Sequence, residues 1–241
     1  PSCLPETDRM FSVLQFSLEG GARLEVAIRR PLAAGATGRD PEKVRAHIAR
    51  QASLGIKPPV HVPMLYPLMP TLVTNATDIG VIGADSTPEI EVVLFHVNGV
   101  DYLTVGSDHT DRRIEAASAL QGKNSCPKIV GTSAWRVSEV IDHWDALSLR
   151  STCGETVLQE GNLAHNMAFD DLMAFVRSCD GDQAEGRMVF SGTVPTFATP
   201  PPGNAAINLS LHDPVTKRTI RHTYTVHVRL AFFQSGSLSS G

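Results

Sequence analysis

Cysteine is scarce: Cys3, Cys126, Cys153 and Cys179 are the four among 241 residues, far apart and without a CxxC pair. That spacing argues against a disulfide framework and suits a reduced compartment. No segment approaches the roughly 20 apolar residues that a membrane-spanning helix needs. The opening "PSCLPETDRM" lacks a basic stretch followed by an apolar one, so no leader is expected. No basic block stands out either. The chain carries 21 Lys and Arg against 25 Asp and Glu, a formal net charge of -4, which offers nothing to nucleic acid or to an anionic membrane surface. With no repeat and no linker-like stretch, the expectation is one soluble, cytoplasmic domain over 1–234, followed by a flexible tail, "SGSLSSG", at 235–241.

What is abundant is strand material. Residues 10–30, "MFSVLQFSLEGGARLEVAIRR", read as a hairpin turning at Glu19-Gly20-Gly21, because β-favouring runs flank a glycine pair able to take positive φ. Asp40-Pro41 supplies an N-cap and a first-turn proline for the helix "PEKVRAHIARQASL", which Gly55 should stop. Prolines at 58, 59, 63, 67 and 70 then forbid a regular helix and predict an extended crossing segment. Three strands follow, "TDIGVIG", "PEIEVVLFHV" and "VDYLTVG", the last two joined at Asn98-Gly99, the best short hairpin signal in the chain. "RRIEAASALQ", "RVSEVIDHW" and "AFDDLMAFVRSC" have helical periodicity, and strands are expected near "LSLRSTC", "ETVLQEG" and "GRMVFSGTV". "AAINLSLHD" and "TIRHTYTVHVRL" close the chain as a strand pair around Asp213-Pro214. Many strands, few helices and no βαβ alternation predict a β-rich α+β fold.

Charge converges at one place. Glu89 and Glu91 lie two apart in a strand, so both carboxylates point the same way and repel unless they are solvated or share a cation. The turn at Asn98-Gly99 folds the next strand back and brings Asp108 to the same end of the ladder. Three carboxylates from two paired strands suit a hard divalent cation, Mg²⁺ or Mn²⁺ ahead of Ca²⁺. Zinc fits less well, because no cysteine or histidine cluster accompanies them. An exposed acidic strand end is the alternative.

"PEIEVV", a hairpin and "SDHTDR" together resemble the fumarylacetoacetate hydrolase superfamily, whose metal ligands come from an ExE strand and from an Asp in an N-D-x-S-A-R-D segment. Asp108 matches that acid and Arg112 the arginine. "LQGKN" is similar to the family's GK segment, with Lys123 as its lysine. "EGRMVFSGTVPTF" resembles the G-D-x-I-x-T-G-T-P-x-G strand and loop, with Gly192, Thr193 and Pro195 in register around an inserted Val194. The helix "AFDDLMAFV" extends the likeness over 40 to 200. "VGSDHTDR" with "HWDALSLRS" is most similar to a branch described only as a domain of unknown function.

The resemblance implies a mixed β-sandwich or roll with a few peripheral helices, a hairpin at 10–30 and a catalytic core at 40–232. It also implies a homodimer acting on a small 1,3-dicarbonyl or 2-oxo acid, whose C–C bond is cleaved while the metal stabilises an enolate. Glu89, Glu91 and Asp108 are the implied metal ligands. Arg112 and Lys123 are suited to grip a carboxylate, and Gly192 and Thr193 to cradle one. One element departs from the pattern. Relatives often carry H-x-x-E, but His47 is followed by Arg50 and Gln51, and a cation cannot accept the histidine's proton. His61 and His109 are alternative bases, and Glu6 or Glu155 alternative acids. Without a His47 dyad the same site suits decarboxylation or tautomerisation, or the chain is a catalytically silent relative acting in binding or assembly. Cys126 has no triad partners and reads as a small buried hydrophobe.

Overall fold

The computed structural model describes residues 11–53, 58–59, 61–200 and 204–229, apart from the side chains of His47, Arg50 and Gln51. Cys3, Glu6, Gly55 and the tail at 235–241 lie outside the described residues. The first strands in chain order are β1 (Ser12–Ser17), β2 (Arg23–Ile28), β3 (Arg30–Gly35), β4 (Met64–Pro67), β5 (Val73–Thr74), β6 (Asp78–Ile82), β7 (Ser86–Thr87), β8 (Ile90–Val97) and β9 (Val100–Ser107). They continue as β10 (Thr110–Asp111), β11 (Lys128–Val130), β12 (Trp135–Arg136), β13 (Ser148–Cys153), β14 (Thr156–Asn162), β15 (Arg187–Phe190), β16 (Ala205–Asp213) and β17 (Arg218–Arg229). The α-helices are α1 (Pro41–Ser53), α2 (Arg112–Ala117), α3 (Ala119–Lys123) and α4 (Phe169–Asp180).

Two sheets make the body. One runs β4-β3-β15-β8-β9-β11-β5 with β12 also paired to β9, and the other runs β14-β13-β16-β17-β6. Between them lies the main apolar layer, where Ile90, Val92, Leu94, Leu103 and Val105 join Leu149, Leu209, Leu211, Ile220 and Tyr224 in one buried cluster. The opposite face of the larger sheet is closed by the β1–β2 hairpin, whose Leu14, Phe16, Val26 and Ile28 join Val93, Phe95, Tyr102 and Phe190. Strand β8 is therefore covered on both faces, which is why "IEVVLFHV" is a near-continuous apolar run and does not alternate. Its single acid, Glu91, is out of place in that run by composition alone.

The turns are those the glycines allow. Gly20 and Gly21 take φ of 81° and 84° between β1 and β2. Asn98 and Gly99 take 52° and 76°, the left-handed pair that a two-residue hairpin with native strand twist requires.

Three predicted elements differ. "RRIEAASALQ" is two helices, because Ser118 at φ −157° leaves the helix and turns its side chain to accept from Gln121 N; a serine competes with helix by bonding the backbone itself. "RVSEVIDHW" forms two short 3-10 turns, Val137–Glu139 and Ile141–Ala146. Its β-branched residues crowd a preceding α-turn, and the chain settles for the tighter helix that serves in short pieces. Within the extended crossing, Met64–Pro67 adds an edge strand against β3, where a proline without an amide donor is tolerated.

Candidate metal centre

The β8–β9 ladder pairs Ile90 with Ser107 and Glu91 with Gly106, and just beyond it Asp108 N–H donates to the Glu89 carbonyl at 2.9 Å. That register places Glu89, Glu91 and Asp108 together: one carboxylate oxygen from each lies within 4.8 Å of the others. Glu91 and Asp108 are buried and Glu89 is partly so. An exposed acidic edge is excluded for these three.

Three cations share the space. Lys123, the last residue of α3, reaches Asp108 Oδ2 at 2.5 Å and Glu89 Oε2 at 3.2 Å. Arg112 spans Glu89 Oε1 at 3.0 Å and Glu115 Oε2 at 2.6 Å, and donates from Nε to Thr87 Oγ1. Lys128, on β11, lies 2.6 Å from Asp108 Oδ1 and donates to the His109 carbonyl at 2.5 Å. Its contact with Oδ1 is too poorly aligned to count as a hydrogen bond, so that oxygen is held by charge alone.

Burial would raise the Glu89 carboxyl, but Arg112 and Lys123 outweigh it and hold the group down at about 2. Asp108 is lowered for the same kind of reason, burial being overcome by Lys123 and Lys128. Glu91 goes the other way. Burial first, then repulsion from Asp108 and Glu89, pushes its carboxyl well above the usual range, with Lys123 and the Gly192 N–H only partly offsetting this. Burial opposes the charge of Lys123 too, yet Asp108 and Glu89 keep its ammonium strongly protonated. A carboxylate trio with one member driven toward its neutral form is what a divalent cation relieves, so the residues present fit such an ion.

Strand β15 and the loop after it close the site. Gly192, at φ 95°, donates its N–H to Glu91 Oε2 at 2.8 Å. A Cβ there would fall 2.0 Å from Thr37 Oγ1, so only glycine fits. The Thr193 hydroxyl donates to the Ile90 carbonyl at 2.8 Å and accepts from Gln159 Nε2 at 2.6 Å. Gln159, from the other sheet, accepts the Ile90 N–H at 2.8 Å. The Gly192 amide and the Thr193 hydroxyl thus bond Glu91 and its strand, alongside Gln159. Arg112 likewise spends three of its donors inside the protein, so it orients Glu89 before it can grip anything else.

The histidines separate. His47 lies on α1 with its side chain outside the described residues. His61 is exposed on the crossing segment. His109 is buried, with Nδ1 3.1 Å from the Tyr224 hydroxyl and Nε2 3.1 Å from Ser86 Oγ. Burial, helped by Lys128 and Arg112, lowers it to about 3, so it is neutral and engaged at both nitrogens rather than a free base. Glu155 stands exposed at the β13–β14 turn. Cys126 is buried, and burial raises its thiol, consistent with an inert packing residue. Lys128, Glu115 and Gln159 were not singled out from the sequence. For Lys128 the available signal was a lysine opening the apolar run "KIV"; for Glu115 it was the i,i+3 spacing from Arg112.

Behind Arg112 lies a cavity of about 450 Å³, bordered by Ser86, Thr87, His109, Arg113 and Val226. It adjoins the centre through Arg112 and His109, and none of the three carboxylates lines it.

A family model described as "Protein of unknown function (DUF2848)" matches residues 34–224. The chain belongs to that family. No curated protein matches it in sequence. Among solved structures, the fumarylpyruvate hydrolase from Pseudomonas aeruginosa in complex with Mn²⁺ and pyruvate is similar with a TM-score of 0.63 at 14% identity, over 95% of this chain and 98% of that one. A protein from Burkholderia cenocepacia, provisionally described as a fumarylpyruvate hydrolase, gives 0.66 at 16%, over 95% and 96%. The 5-carboxymethyl-2-hydroxymuconate delta-isomerase from Mycobacterium smegmatis gives 0.58 at 14%, over 88% and 84%. This DUF2848 member therefore has the fold of the fumarylacetoacetate hydrolase superfamily. No helix among the described residues is long and apolar enough to cross a membrane.

Proposed function

We propose that this chain is a divalent-metal-dependent enzyme that cleaves a C–C bond in a small 1,3-dicarbonyl or 2-oxo acid. The observation that carries the reading is the trio Glu89, Glu91 and Asp108, gathered within 4.8 Å on a fold shared with a Mn²⁺ and pyruvate complex. Glu89, Glu91 and Asp108 would hold Mg²⁺ or Mn²⁺. Such an ion supplies Lewis-acid stabilisation of the negative charge that develops on an oxo oxygen as the bond breaks.

The chain's own residues do the rest. Gly192 N–H and Gln159 fix the strand that carries Glu91. Arg112 holds Glu89 from behind, in a fork between two acids. Lys123 bridges Asp108 and Glu89, with the Tyr66 ring centroid 5.9 Å from its Nζ, and is the positive group assigned to pair with a substrate carboxylate beside them. A second reading, decarboxylation or tautomerisation at the same centre, is favoured by one observation: His109, the histidine nearest Asp108 in sequence, is neutral and occupied at both nitrogens. Neither of those reactions needs a histidine to activate water. A homodimer belongs to the same proposal.

Titrating Mn²⁺ and Mg²⁺ by calorimetry into wild type and Glu91→Ala tests the cation. Heat in the first and none in the second supports the reading; negligible heat in both leaves a silent scaffold. Incubating the loaded enzyme with an acylpyruvate and with oxaloacetate, followed by NMR, separates the reactions. A cleaved acyl acid supports hydrolysis, whereas CO₂ release without one moves the assignment to decarboxylation.

A further inference from the structure

The cavity behind Arg112 has no part in the chemistry above. Its volume of about 450 Å³ falls in the range of roughly 300–1,000 Å³ that small-molecule sites occupy. Part of its wall is apolar. Val226 and Val228, two apart on β17 and so on one face, border it with Ala205, the cross-strand partner of Val226, and with Pro200. Another part is polar and tied in place, since β7 pairs with β10 through Thr87–Thr110 and Ser86–Asp111, and the Arg112 N–H donates to the Asp85 carbonyl at 2.9 Å. That polar part has two ends of opposite character. Tyr224 gives its hydroxyl proton to Ser107, so it accepts from His109 Nδ1, and the neutral ring takes the Ser86 hydroxyl proton at Nε2. Ser86 is left with lone pairs only, and beside it Asp85 is an exposed acid. Arg113, an exposed guanidinium, borders the same space. Asp85 and Arg113 make no ion pair with each other, and neither side chain has a partner elsewhere among the described residues.

We propose that this cavity binds a small free α-amino acid with an apolar side chain, its ammonium on Asp85 and Ser86, its carboxylate on Arg113 and its side chain against Val226, Val228 and Ala205. An acceptor end, a cationic end and a hydrocarbon wall around one space call for a ligand that carries all three complements. Hydrogen bonds between ionised groups are the stronger kind, and a guanidinium takes a carboxylate through two parallel donors. Holding both charged groups of one molecule separates an amino acid from simple acids and simple amines. The site is independent of the metal reading, because none of Glu89, Glu91 and Asp108 lines the cavity.

The test is an amide chemical-shift titration of the full ¹⁵N-labelled chain, kept in EDTA so that no metal serves as the anchor. The probes are L-valine, isovalerate, which lacks the ammonium, and isobutylamine, which lacks the carboxylate. Saturable shifts are expected at Ala84–Thr87 and Val226–Val228, with valine bound about tenfold tighter than either analogue. Arg113→Gln should weaken valine about tenfold and bring it level with the amine, and Asp85→Asn should bring it level with the acid. Both side chains are exposed, and amide spectra unchanged away from the cavity show that each variant is folded. No saturable shift with valine overturns the proposal, as do shifts confined to another part of the chain. Isovalerate bound as tightly as valine makes the cavity a plain anion site and overturns the amino-acid assignment. Valine affinity that survives either substitution overturns it too.

Discussion

Among the described residues Glu91 is the carboxylate of the trio with no ion pair; its bond comes from the Gly192 amide. The proposed metal role and stability therefore pull apart at this position. Glu91→Gln keeps the shape and the acceptor oxygen while removing a charge that burial and two acidic neighbours oppose. The variant should melt at or above the wild-type temperature in the absence of metal and give no Mn²⁺ heat; a protein that melts lower and still binds would contradict the placement. His109 makes a separate prediction about pH. Its folded value is about 3 against an ordinary 6.5, a base whose charged form the fold rejects. Between those values the unfolded chain binds more protons than the folded one, so His109's contribution is complete above about pH 6.5 and is lost progressively as pH falls toward 3. Urea midpoints measured from pH 7 to pH 4 should fall less steeply for His109→Asn than for wild type, with the difference opening below 6.5. Parallel curves would mean that the ring protonates freely in the fold.

Elements set where these residues stand. Gln159 on β14 satisfies the amide of Ile90, between the two glutamates, from across the sheet interface. Gln159→Met leaves that amide buried and unpaired, which costs about 1–3 kcal/mol. Hydrogen exchange at Ile90 should accelerate while exchange in the middle of β9 changes little. Gly192→Ala meets both a forbidden φ and the Thr37 hydroxyl, a loss of about 2 kcal/mol or more, to be read from denaturant unfolding together with weakened Mn²⁺ binding. Much of this level was legible in the sequence. Asn98-Gly99 declared the hairpin, and counting outward from it placed Asp108 beside Glu89 and Glu91, because strand geometry makes position a matter of arithmetic. The break at Ser118 and the 3-10 turns near Val140 were not legible, since helical periodicity says which face is apolar and nothing of where a capping serine interrupts it. Lys128 escaped for a different reason: its meaning lies in Asp108 and in the backbone of His109, and only strand order brings those to it.

For the whole molecule, the abundance of strands and the absence of βαβ alternation were enough to give the class. Which strands share a sheet was not readable, because β3 lies beside β15 and β6 beside β17 through contacts between residues more than a hundred positions apart. The two sheets meet through more than hydrocarbon. From β17, Tyr224 donates its hydroxyl to Ser107 Oγ at 3.2 Å and bonds His109, and Ser107 in turn accepts the Glu89 N–H. Tyr224→Phe should cost about 1–2 kcal/mol in urea unfolding, with the loss larger in the presence of saturating Mn²⁺ than without it if the hydroxyl steadies the ligand strand. The sheet that owns Tyr224 and Gln159 contributes no carboxylate to the centre, yet it grips the backbone on which two of them are mounted. In protein loaded with Mn²⁺, anything that eases the layers apart, whether heat, pressure or a wedge of detergent, should release the ion before the chain itself gives way, making its escape the first audible crack in the fold.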